Sequence, residues 1–127
     1  MTPEQAVKKV NETWKYVSDG SVDRWSFSTP GDCENYSLRV LMFIKGDDGA
    51  AKRSLLRGEA HMWYVKTANG SGHAILEWEG KFVDNRQRQW KDSLDEMDIR
   101  ETPRRRYSKT ELVLKLGVGS LFSLFGF

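Results

Sequence analysis

The feature that most constrains this chain is a change of apolar period near its middle. From Cys33 to Lys45 there is no Gly or Pro, and Tyr36, Val40, Leu41 and Ile44 recur at helical spacing, with apolar neighbours at Leu38, Met42 and Phe43. This pattern predicts a central helix buried on most sides. Beyond Gly58 the period falls to two, with His61, Trp63 and Val65 alternating with Met62, Tyr64 and Lys66. Helical segments followed by strands imply an α+β fold, N-terminal helices packed on an antiparallel sheet.

Local signals divide the rest of the chain. Thr2, Pro3 and Gln5 form a capping box with Pro at the first helical position, and Val7, Val10, Trp14 and Val17 line one face of a helix that Asp19-Gly20 should end. Gly46-Asp47-Asp48-Gly49 stops the central helix, and a short helix over 50–56 follows. A turn at Asn69-Gly70-Ser71-Gly72 joins the first strand to a second over 73–78, and Glu79-Gly80 leads into a third over 81–88. Residues 91–107 are highly charged and carry Pro103, which suits an irregular segment or an edge strand. Ser108 and Glu111 make another capping box, for a short helix expected to stop at Gly117. The expected division is a domain over 1–107 and a short helix with a hydrophobic tail over 108–127.

Composition removes several classes. At 127 residues, 39% hydrophobic and 30% charged, the chain suits one core. A net charge of +2 does not point to nucleic acid, and Arg104-Arg105-Arg106 with Lys109 reads as a solvated face. The single cysteine excludes an internal disulfide and a Cys-based zinc cluster, and two histidines lack a third ligand, so no metal is expected and His61 reads as structural. The N-terminal residues lack the pattern of a secretory signal, so the expected site of synthesis and first residence is the cytoplasm. Residues 117–127 are uncharged and rich in Leu and Phe but fall short of the ~20 a spanning helix needs. They are expected to dock on a partner subunit or a membrane surface.

The chemistry centres on Cys33, placed where the turn-forming Ser28-Thr29-Pro30-Gly31-Asp32 meets the central helix. A thiol in a first helical turn sits at the positive end of the dipole, which favours the thiolate; the alternative is a small buried hydrophobe. If Glu79-Gly80 is a two-residue hairpin loop, Trp78 faces Lys81 and Ile75 faces Asp84. His73 and Asp84 then become diagonal neighbours on one face of the sheet, within reach of a carboxylate–imidazole contact. A slip of one residue would separate them, leaving a surface histidine and a charge closing a turn.

Three blocks carry a resemblance: Gly31-Asp32-Cys33-Glu34-Asn35-Tyr36-Ser37-Leu38, Gly72-His73-Ala74-Ile75-Leu76 and Phe82-Val83-Asp84-Asn85. Together with Val10-Asn11, Tyr16-Val17-Ser18-Asp19 and Asp23-Arg24-Trp25, they resemble the bacterial transglutaminase-like cysteine peptidases over about residues 7–90. The resemblance implies a papain-like, transglutaminase-like core with Cys33 as nucleophile, His73 as general base and Asp84 as its orienting partner. The implied activity is hydrolysis of an amide, in a protein or a peptidoglycan cross-link, through a thioester. The backbone N–H of Cys33 would hold the oxyanion, with Trp25 as a candidate second donor.

Two departures qualify it: Asn35 stands where the family has a second acidic residue, and the loop from Trp25 to Gly31 is short. Some relatives bind calcium near this acidic cluster. Asp32 and Glu34 remain, but two carboxylates beside a helix start more often cap it than hold a metal, and no cofactor is expected. Short chains without a signal resemble phage-encoded members, which implies an alternative: a noncatalytic component of an assembly such as a virion that keeps the fold.

Overall fold

The computed structural model describes residues 1–14 and 33–116, a mixed arrangement of helices and a four-stranded antiparallel sheet. The protein is therefore of the α+β class. Val17, Trp25, Asp32 and the apolar segment 117–127, to which roles were assigned above, lie outside the described residues.

The first helix, α1 (Pro3–Thr13), begins at the expected capping box, with the Thr2 side chain accepting from Gln5 N and the Gln5 side chain accepting from Thr2 N. Its end corrects the expectation of a helix running to Asp19-Gly20. Trp14 already has extended backbone, and its ring packs edge-on against Tyr36 at 5.3 Å between centroids. Asn11 and Thr13 are weak helix formers, so packing of the indole decides where the helix stops.

The central helix, α2 (Cys33–Lys45), has the expected limits, with Glu34 in its first turn and Lys45 in its last, both matched to the helix dipole. The next helix, α3 (Asp48–Leu56), begins two residues before the expected start because Asp47 caps it, its side chain accepting from Ala50 N at 2.7 Å.

The sheet contains β1 (Ala60–Thr67), β2 (Gly72–Trp78), β3 (Lys81–Val83) and β4 (Ile99–Arg106), in the spatial order β3-β2-β1-β4. Glu79 and Gly80 both have positive φ, 51° and 78°, a primed two-residue turn whose twist matches that of the strands. Trp78 therefore pairs with Lys81 and Leu76 with Val83. The third strand is three residues long rather than running to 88. Asp84 Oδ1 accepts from the backbone N–H groups of Arg86 and Gln87, turning the chain out of the ladder. Residues 99–106, left open between loop and edge strand, form the edge strand β4, whose Arg-rich, largely exposed surface suits a position with a single neighbour.

Ala60, Met62, Ala74, Leu76 and Val83 face the helical layer and join its main core, while Val65, Ile75 and Met97 form a smaller cluster with the other set of alternating residues. The last described helix, α4 (Lys109–Leu116), also belongs to the main core, through Leu112 and Leu116. Its Ser108–Glu111 capping box forms as expected. No helix among the described residues is long and apolar enough to cross a membrane.

Each arginine of the basic run has an acidic partner: Arg104 meets Asp95 at 2.7 Å, Arg105 meets Glu111 at 2.8 Å and Arg106 meets Glu77 at 3.1 Å. The Arg105 guanidinium, helped by Ser108, holds the Glu111 carboxyl at about 2, below its ordinary value of 4.5. A depressed value in the folded state contributes stability above the unfolded value that disappears as pH falls through the folded one. Glu111→Gln should thus destabilise the protein at pH 7 by under about 1 kcal/mol, as expected of a surface pair. The difference in urea midpoint between native protein and variant should shrink as pH falls from 4.5 toward 2.

Candidate active site

The β2–β3 register determines the geometry of the site. With Trp78 opposite Lys81, residues 73, 75 and 84 project to one face, and the His73 and Asp84 side chains meet: Nε2 to Oδ2 is 2.7 Å. Both groups are buried, Asp84 at 1% exposure and His73 at 6%. Ionised Asp84 only accepts hydrogen bonds, so Nε2 donates and Nδ1 is left as the basic nitrogen of the ring.

Asp84 is itself held. Its second oxygen accepts the Arg86 and Gln87 N–H bonds at 3.0 and 2.7 Å, and its carbonyl accepts from Arg88 N at 2.8 Å. The following turn is tied to the helical layer through Asn11, whose Nδ2 donates to the Arg88 carbonyl at 3.0 Å. Asn11 Oδ1 in turn accepts from the Tyr36 hydroxyl at 2.6 Å. Burial, opposed by Arg88 and reinforced by Asp84, pushes the Tyr36 hydroxyl well above its ordinary value, so it stays protonated and donates. The aspartate thus closes a turn and partners the histidine at once.

Cys33 is the first residue of α2 and is half-buried. It shares a cavity of about 280 Å³ with His73 and with Thr67, Asn69, Ser71, Gly72, Asn85 and Arg86. The helical layer therefore supplies the thiol, and the ends of β1, β2 and β3 supply the remaining wall. Cys33 Sγ also lies 3.4 Å from Glu34 Oε2, in donor geometry. A carboxylate at that distance opposes ionisation of the thiol, against the helix dipole that favours it. Tyr107, just after β4, is close by: burial, with Glu34 and Cys33 adding to it, pushes its hydroxyl above the ordinary value.

His61 is elsewhere, in a different cavity of about 220 Å³ between α3, β1 and α4, and its basicity is lowered by burial and then by Arg106, with Glu77 opposing. Six residues at or beside this cavity were missed from sequence. Tyr107 fell in a segment read only as charged. Arg86 and the polar turn side chains at Thr67, Asn69 and Ser71 carried no signal beyond turn chemistry. Asn85 was quoted within a sequence block without a role of its own. Comparison of the chain with protein-family models, curated proteins and solved structures finds no match.

Tyr36→Phe leaves Asn11 Oδ1 without its donor and should cost about 0.5–1.5 kcal/mol in urea unfolding. Its effect should be greater on stability than on the reactivity of Cys33, since it acts on the turn behind Asp84 rather than on the thiol.

Proposed function

We propose that the protein is a cysteine-dependent hydrolase with a papain-like, transglutaminase-like arrangement, cleaving an amide bond in a protein or a peptidoglycan cross-link. The observation that carries this reading is the buried hydrogen bond between His73 Nε2 and Asp84 Oδ2, made by a histidine that shares a cavity with the only cysteine. Burying a carboxylate and an imidazole is unfavourable unless each is paired, and a surface charge pair would serve folding as well. Cys33 passes its proton to His73 Nδ1 and attacks the carbonyl carbon. His73 returns the proton to the leaving amine as the C–N bond breaks, and the resulting thioester is hydrolysed by water that His73 deprotonates. Asp84 holds the tautomer and balances the imidazolium charge. The first-turn N–H groups of α2, which lack intrahelical partners, are the backbone donors that this reading assigns to the developing oxyanion.

The 3.4 Å contact between Cys33 and Glu34 favours the second reading, a noncatalytic component of an assembly that keeps the fold, because it stabilises the neutral thiol. Iodoacetamide separates the two. In the hydrolase, Cys33 alkylates faster than free cysteine at pH 7. His73→Ala shifts the pH profile of alkylation upward and slows labelling roughly tenfold at pH 7, by loss of the neighbouring imidazolium. Glu34→Gln shifts the profile downward. Cys33→Ala abolishes amide hydrolysis, and Asp84→Ala lowers it with a smaller effect on alkylation than His73→Ala. A native Cys33 no more reactive than free cysteine, with a profile indifferent to His73, would establish the noncatalytic reading instead.

A further inference from the structure

Asn85 follows Asp84 directly, where the chain leaves β3, and lines the cavity shared by Cys33 and His73. Its backbone carbonyl accepts from Arg88 Nε at 2.8 Å, so the main chain is fixed at this position. Among the described residues, its Oδ1 is buried without a hydrogen-bond partner and no hydrogen bond engages Nδ2. A carboxamide that leaves an oxygen buried and unsatisfied, in the wall of the cavity that also holds the thiol, is poorly explained by folding alone. The unsatisfied Oδ1 shows that no folding contact holds the carboxamide, and Nδ2 carries the donors that a ligand oxygen in the cavity would accept from.

Resting on the hydrolase reading, we infer that Asn85 is a further catalytic residue: its Nδ2–H donates to the oxygen of the acyl group that Cys33 attacks. As Sγ bonds to the carbonyl carbon, the π pair moves onto oxygen, and the charge that develops there is met by Nδ2–H. When the tetrahedral intermediate collapses, that pair reforms the C=O bond and the leaving group departs. A neutral donor in a half-buried wall is suited to this role, because it stabilises the transition state more than the uncharged carbonyl. Of the polar side chains in the cavity wall, the Thr67 hydroxyl is committed to Asn69 Oδ1, and the Arg86 guanidinium is bound to Asp98 at 3.1 Å.

Two reactions of the same thiol test the assignment. Alkylation by iodoacetamide is a displacement at carbon that builds no charge on a carbonyl oxygen, whereas hydrolysis of 4-nitrophenyl acetate passes through a tetrahedral oxyanion. Asn85→Ala should lower kcat for the ester by roughly 100-fold, the size expected for loss of one oxyanion donor, while the rate and pH profile of alkylation stay as in the native protein. Asn85→Leu, nearly isosteric and without a donor, should behave alike and serves if Asn85→Ala fails to fold. Native-like ester hydrolysis in a folded variant would overturn the inference and leave the hydrolase reading standing. Parallel loss of alkylation and ester hydrolysis would overturn it too, by showing that Asn85 merely supports His73 and Asp84. A native protein whose Cys33 is inert toward both reagents would instead overturn the hydrolase reading on which the inference rests.

Discussion

The candidate site depends on the register of one hairpin. Glu79 and Gly80 adopt the left-handed conformations of a primed turn, and Trp78 is thereby opposed to Lys81. Side chains alternate along a strand, so this register puts His73 and Asp84 on the same face, and a slip of one residue would divide them. Glycine makes the second turn position inexpensive, since no Cβ crowds the backbone at φ 78°. Pairing between two buried titratable groups is thus specified by two exposed turn residues, six and seven positions after His73 in sequence.

Burial then makes the pair exacting. A carboxylate at 1% exposure must have its charge answered, and Asp84 is answered by the imidazole on one oxygen and by two backbone N–H groups on the other. The same bonds end β3 and form the turn that Asn11 and Tyr36 fasten to the helices. Strand termination, anchoring of the helical layer and orientation of the imidazole are one hydrogen-bonded system, so changes in its outer members reach the site through stability rather than through contact with the thiol.

Cys33 stands under opposing influences. The start of α2 favours its anion, and Glu34, one residue on, opposes it from 3.4 Å. Glu34 is favourable as a first-turn acid for the helix and unfavourable as a neighbour for a thiolate. These opposing influences act on a thiol that shares its cavity with His73.

The sequence by itself determined what local physics controls: the limits of α2, the capping boxes at Thr2 and Ser108, the Glu79-Gly80 turn and hence the alignment of His73 with Asp84. Caps and two-residue turns act over a few residues, and their donors and acceptors can be read from residue type and spacing. Tertiary structure decided where α1 stops, because Trp14 is drawn onto Tyr36. It decided that β3 ends at Val83, because Asp84 spends its free oxygen on the next turn, and that an arginine-rich segment with a proline pairs with β1 as an edge strand. It also brought Cys33, His73 and the unsatisfied amide of Asn85 to one cavity. Contacts between residues distant in the chain depend on how whole layers pack, and neither propensity nor periodicity encodes that distance.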